Sequence, residues 1–177
     1  SISRFFPVRF LSKAYIWVFR GTPLMLQLFF VYYGLPIMFG PAFRMENTVA
    51  AVLTFTMNYA AYFAEIYRSG IESIPKGQYE AATLLGYSRG QTFFRIVLPQ
   101  MVKNVLPSVT NEVITLVKDT SLVYSLSYIE MFAVAKQIAA AQTTVLPFFI
   151  AGVYYYIFNY VVAGVMELFE KKLNYYH

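Results

Sequence analysis

Four apolar stretches, each near the ~20 residues that cross a ~30 Å hydrocarbon core, constrain this chain more than any other feature. They run roughly from Ile16 to Phe39, Thr48 to Tyr67, Pro99 to Tyr124 and Leu146 to Phe169, the first interrupted by Gly21, Pro23, Gly34 and Pro36. Lipid supplies no hydrogen bonds, so a crossing segment must satisfy its backbone within a helix or a closed barrel. These runs are far longer than the alternating segments of barrel strands, which makes the expected class all-α, a polytopic helical bundle. Only 13% of the residues are charged, against about a quarter in an average soluble domain. Seventeen Phe and sixteen Tyr suit lipid contact and the water boundary.

The few charges are arranged unevenly. Arg4, Arg9, Lys13 and Arg20 precede or open the first run, Arg68, Lys76, Arg89, Arg95 and Lys103 surround the connection after the second, and Lys171 and Lys172 follow the fourth. The connections on the other side carry only Arg44 and Lys136, so the positive-inside rule places the connection after the second run and the C-terminus in the cytoplasm. The net charge of +5 then expresses topology and the anionic inner leaflet, and no nucleic-acid partner is expected. With no Cys there is no disulfide scaffold, thiolate metal site or Cys nucleophile. The lone His177 is terminal, no metal site is expected, and no G-x-x-x-x-G-K-S/T loop cradles a nucleotide.

The connection from Pro75 to Pro99 has its own local grammar. Pro75 and Gly77 open it, Ala81 and Ala82 favour helix, and Gly86 breaks that helix. Ser88-Arg89-Gly90-Gln91 has the spacing of a capping box, which predicts a second helix starting at Ser88 and running into the third span. The expected product is an elbow on the membrane surface. Glu80-Ala81-Ala82, Gly86 and Ile96-x-Leu98-Pro99 together resemble the coupling loop of permease subunits of bacterial ATP-binding-cassette importers, with every fixed position of the pattern met. Arg20-Gly21-Thr22-Pro23-Leu24 with Gln27-Leu28, Asn58 through Ile66, and Asn111-Glu112 through Leu122 resemble the polar amino acid uptake branch of that family.

The resemblance implies a type I importer permease that moves polar amino acids by alternating access. It implies cytoplasmic ATPase subunits gripping Glu80, Ala81, Ala82 and Gly86, a second identical or paralogous permease subunit, and an external substrate-binding protein. The chain itself would bind no cofactor and catalyse nothing, since ATP and magnesium would belong to the ATPase. The expected location is the bacterial cytoplasmic membrane, multi-pass. Residues 1–177 read as one permease domain containing a cytoplasmic elbow at 75–99, with Ser1 internal to a longer protein that carries a further N-terminal span. Two other classes remain open, an ion-gradient-driven secondary transporter and a non-transporting scaffold that recruits an ATPase.

Polar residues within the spans mark the expected route. Thr54, Asn58, Ala61, Tyr62 and Glu65 recur near helical spacing in the second span, and Asn104, Ser108, Asn111, Glu112, Thr115, Lys118 and Asp119 advance by threes and fours in the third. Charge in lipid is costly, so Glu112 and Asp119 require water, a cation or a polar partner. In one reading these groups tie helices together and Lys118 neutralises Asp119. In the other, Asn58, Asn111 and Glu112 contact the substrate, Glu112 favours a cationic group, and Tyr62, Thr115, Lys118 and Asp119 line the pathway or its gate. Pro99 is expected to begin the third span and Pro107 to bend it. The tyrosines around Tyr155, with Gly152 and Gly164, read as packing groups.

Overall fold

The computed structural model describes residues 6–173, and all of its regular structure is helical. Arg4 and His177 lie outside the described residues. Helix α1 (Phe6–Gly21) is followed by α2 (Leu24–Phe29), a π-helical turn at Phe30–Gly34 and α3 (Leu35–Phe39). A 26-residue helix α4 (Asn47–Glu72) leads to the short α5 (Lys76–Leu84) and α6 (Arg89–Thr92). A second π-helical turn, Phe93–Val97, joins α6 to α7 (Leu98–Asp119). A 3-10 segment, Thr120–Leu126, then precedes α8 (Met131–Gln142) and α9 (Leu146–Leu173).

The first expected span is not straight. The legs Pro7–Gly21 and Leu24–Phe39 meet at 109°, because Gly21 ends one helix and Pro23, which lacks an N–H, caps the next. Helices α4 and α9 are each long and apolar enough to cross a membrane alone, and the bent pair would make a third span. Helix α7 has 22 residues, or about 33 Å at 1.5 Å per residue, but its polar stripe keeps it from qualifying by apolarity. Helix α8 was not anticipated. Its 12 residues are too few to span, and what defines its start is the Glu130 carboxylate, which accepts from Phe132 N at 2.7 Å and Ala133 N at 2.6 Å.

Both π-helical turns end two residues before a proline, Pro36 and Pro99. An α-helical proline ring meets the carbonyl four residues back, and one widened turn relieves that clash while the helix continues. Pro99 therefore marks a change of pitch within a helix that began at α6. The buried interior is small and lies where α2, α4 and the 3-10 segment meet, around Leu28, Ala51 and Leu126 with Phe29, Tyr32 and Val123 packed against them. Helices α4 and α7 approach closely at Gly70, where a Cβ would stand 2.2 Å from Val105 Cγ1 and 3.1 Å from Met101 Cγ.

Candidate functional site

A helix that ends leaves its last carbonyls without intrahelical partners. At the end of α1 they are met by polar side chains from three places. Thr22 Oγ1 donates to Val18 O at 2.8 Å, while Gln27 Nε2 and Asn58 Nδ2 donate to Phe19 O at 2.8 and 3.1 Å. Asn58 Nδ2 also donates to Gln27 Oε1 at 2.9 Å, so the amide joins α4 to both sides of the break. Asn58 is only 5% exposed. The structure thus places this predicted substrate residue in a lock that holds the α1–α2 corner against α4, with both amide hydrogens engaged. Gln27 was the missing partner, and the Gly21-Thr22-Pro23 interruption was the signal that carbonyls there would need donors.

One turn further along α4, the chemistry changes. An open cleft of about 600 Å³ between α1, α4 and α7 is lined by Arg20, Tyr62, Glu65, Arg68, Asn104 and Glu112, among others. The Arg20 guanidinium lies 5.4 Å from the centre of the Tyr62 ring and 3.7 Å from Glu65 Oε1. Arg68 donates to both oxygens of Glu65 and, at 2.6 Å, to Glu72 Oε2, making a chain of alternating charge along the end of α4. Also along the cleft, Asn104 Nδ2 donates to Ser73 Oγ at 3.0 Å. Glu112 has no hydrogen bond or ion pair among the described residues. The cleft therefore combines fixed charges of both signs with one uncommitted carboxylate, which suits a zwitterion with an additional polar or cationic group.

The remaining predicted residues are dispersed. Asp119 accepts from Tyr59 Oη at 2.8 Å, and among the described residues no ion pair joins it to Lys118, which is exposed. Its neutralisation by Lys118 is thus replaced by a hydroxyl from α4. Thr115 Oγ1 donates to Asn111 O within its own helix at 2.9 Å, and Asn111 is exposed beside the cleft-lining Glu112. Of the seven predicted binding or pathway residues, only Tyr62 and Glu112 line the cleft. Glu65, Asn104 and Ser108, which the sequence placed on the two polar faces, also line it, and Arg20 was the unforeseen member. Arg20 was read as a topology charge, although its place one residue before the helix break was available in the sequence.

The elbow grows from the same end of α4. Pro75 caps α5, and α5 closes with Gly86 N donating to Thr83 O and Tyr87 N to Ala82 O, both at 3.0 Å. This pair of bonds is a Schellman ending, which needs a left-handed residue at its turn. Gly86 supplies it with φ +76°. The Ser88 capping box is complete: Ser88 N donates to Gln91 Oε1 at 2.8 Å and Gln91 N to Ser88 Oγ at 3.3 Å. Ala82 is buried, whereas Glu80, Ala81 and Gly86 are exposed. Leu84 and Leu85, 90% and 74% exposed, project from the tip as apolar groups without cover in this chain.

Comparison with known proteins gives consistent results. The family of binding-protein-dependent transport system inner membrane components matches residues 2–175. The arginine transport system permease protein of Bacillus subtilis (strain 168) is 41% identical over 174 residues, covering 98% of this chain and 78% of that protein. A probable amino-acid permease protein of the same organism is 37% identical over 165 residues, covering 93% of this chain and 74% of the relative. The octopine transport system permease protein of Rhizobium radiobacter is 39% identical over 179 residues, covering 97% and 73%. A crystal structure of an amino acid ABC transporter with histidines superimposes with a TM-score of 0.87 and 30% identity, covering 97% of this chain and 79% of that one.

Proposed function

The chain belongs to the family of binding-protein-dependent transport system inner membrane components, and on that premise we propose how its residues serve a polar amino acid importer. It is a membrane permease subunit that helps form the translocation pathway of an ABC importer for amino acids. The route runs along the cleft between α1, α4 and α7. The observation that carries this assignment is the uncommitted carboxylate of Glu112 facing the Arg20–Tyr62–Glu65 cluster in a space of about 600 Å³. Arg20 receives the substrate carboxylate, and Glu112 receives an ammonium or cationic side chain. Asn58 acts one step back, by holding the corner that positions Arg20.

Transport requires the cleft to face alternately outward and inward, which is a change between two dominant states. Helices α4 and α7 are held together at Gly70 and through Asn104 and Ser73, and the elbow between them carries exposed Glu80, Leu84 and Leu85. A cytoplasmic ATPase subunit that grips this elbow moves α4 and α7 as one body against α1. The ATPase binds ATP and magnesium, a second permease subunit closes the other wall, and an external binding protein delivers the substrate. The exposed apolar tip and the rigid Schellman and capping-box turns support that coupling role.

The test is uptake by the reconstituted complex in vesicles, with co-purification of the ATPase measured in parallel. Gly86→Asp forces a side chain into a left-handed backbone, costing about 1–2 kcal/mol at the turn, and is expected to lower ATP-driven uptake at least tenfold. Glu80→Lys is expected to act through the ATPase contact while leaving membrane insertion intact. Full uptake by both variants, or uptake driven by an ion gradient without ATP, would defeat this reading. ATPase recruitment without flux would favour the scaffold.

A further inference from the structure

Helix α1 has a basic edge of which the translocation route uses only Arg20. Arg9, Lys13 and Arg20 fall within about 40° of one another around its axis, and Leu11 and Val18 lie about 180° away. Between these two edges, Ser12, Tyr15, Ile16 and Phe19 are partly covered, and Tyr15 Oη donates to Met57 O of α4. The opposite flank carries exposed Phe10 and Trp17, the latter 85% exposed. Because α1 turns by 109° from the α2–α3 leg, the two cannot both follow the membrane normal. A helix with a basic edge, an opposed aliphatic edge and a flanking indole is built to lie along the bilayer surface.

The basic edge overlooks a second open cleft, of about 850 Å³, lined by Arg9, Lys13, Trp17 and Arg20 from α1 and by Glu65, Arg68 and Glu72 from α4. Most of that charge is already matched. Glu65 pairs with Arg20 and Arg68, and Glu72 pairs with Arg68. Arg9 and Lys13 have no ion pair among the described residues, so the cleft presents a net positive edge at the level of the indole. We infer that this cleft holds the headgroup phosphate of an anionic phospholipid, with Arg9 and Lys13 as its cationic partners and Trp17 packed beside the glycerol and upper acyl chain. The ligand fits the place: basic residues at a membrane surface attract anionic headgroups, and an exposed indole prefers the same depth.

Arg20, Glu65 and Arg68 border both clefts, but Arg9, Lys13 and Trp17 lie outside the substrate route, and the test does not measure transport. Trp17 is the sole tryptophan of the chain and therefore reports on its neighbours. The intact transporter is placed in nanodiscs of phosphatidylcholine containing an equal mole fraction of either dibrominated phosphatidylglycerol or dibrominated phosphatidylcholine. The quenching that vanishes in Trp17→Phe is then assigned to this residue. The brominated phosphatidylglycerol is expected to quench Trp17 more strongly than the brominated phosphatidylcholine. Arg9→Gln and Lys13→Gln should each reduce that preference roughly fivefold, while Arg9→Lys retains it. Equal quenching by the two lipids, or a preference unchanged in the double Gln variant, overturns the inference. So does loss of the preference on adding inorganic phosphate but not chloride at equal ionic strength, which assigns the cleft to a soluble anion. Unchanged lipid preference with loss of ATPase co-purification would overturn it in favour of a protein contact.

Discussion

Helices α4 and α9 both satisfy the length and apolarity of a membrane span, yet they are embedded very differently. A third of the apolar stretch of α4 is buried within this chain, against 6% for that of α9. Helix α4 is fastened by side chains: Asn58 to the α1–α2 corner, Tyr59 to Asp119 of α7, and Arg20 to Glu65. Among the described residues, the contacts of helix α9 include the longer bonds of Thr110 to Glu170 at 3.3 Å and Tyr155 to Glu130 at 3.4 Å, and Asn159 Oδ1 is left without a partner. Apolarity alone thus brings a helix to the membrane, whereas specific polar bonds and close approach decide which helix organises the subunit.

The strongest way to break this contrast is through glycine. Gly70→Val must separate α4 from α7, since its Cβ alone would overlap Val105. Overpacking of that kind costs about 1–3 kcal/mol or more, and the expected result is a marked fall in assembled complex and thermal stability. Gly164→Val on α9 meets nothing within 4 Å and should leave both unchanged. An equal loss at Gly164 would show that α9 is covered by another subunit as tightly as α4 is covered within this one.

The two asparagines sharpen the comparison at smaller amplitude. Asn58→Leu strands Phe19 O with one donor fewer and removes the link to Gln27, so a loss of roughly 1–2 kcal/mol in thermal or denaturant stability is expected. Asn159→Leu removes an oxygen that has no partner among the described residues, and should be neutral or slightly stabilising. Reversal of that order would remove the corner lock from the account of α4.

The smallest effect on the protein itself, though informative about its cargo, is expected from Glu112→Gln. This substitution keeps the shape of a side chain that makes no hydrogen bond or ion pair among the described residues, so assembly should be unaffected. Uptake of a cationic amino acid should fall several-fold relative to a neutral one, because a charge pair in a partly dry cleft is worth at least about 1 kcal/mol. Parallel losses for both substrates would move Glu112 from substrate contact to the conformational cycle.

Much of this architecture was legible because its causes are local. The elbow is specified by bonds between residues no more than five positions apart: the Gly86 turn, the Tyr87-to-Ala82 bond and the reciprocal Ser88–Gln91 cap all lie in one short stretch. The all-α class likewise follows from runs of apolar residues and from the cost of unpaired backbone in lipid. Span ends were approximate, since α4 continues to Glu72 and α9 to Leu173 as amphipathic or charged turns beyond the apolar run.

What the sequence by itself determined was therefore a helical membrane chain with a capped elbow and two polar faces. Only the tertiary structure decided where those faces point. The partners that settle the matter are distant in the chain: Asn58 and Gln27 are 31 positions apart, Asn58 and Phe19 are 39 apart, and Tyr59 and Asp119 are 60 apart. Helical periodicity places Asn58, Tyr62 and Glu65 on one broad face, but cannot say that the first closes a broken helix while the other two line a cleft. That division depends on the 109° turn at Gly21–Pro23, which brings the end of α1 across α4 and gives each polar side chain a different neighbour.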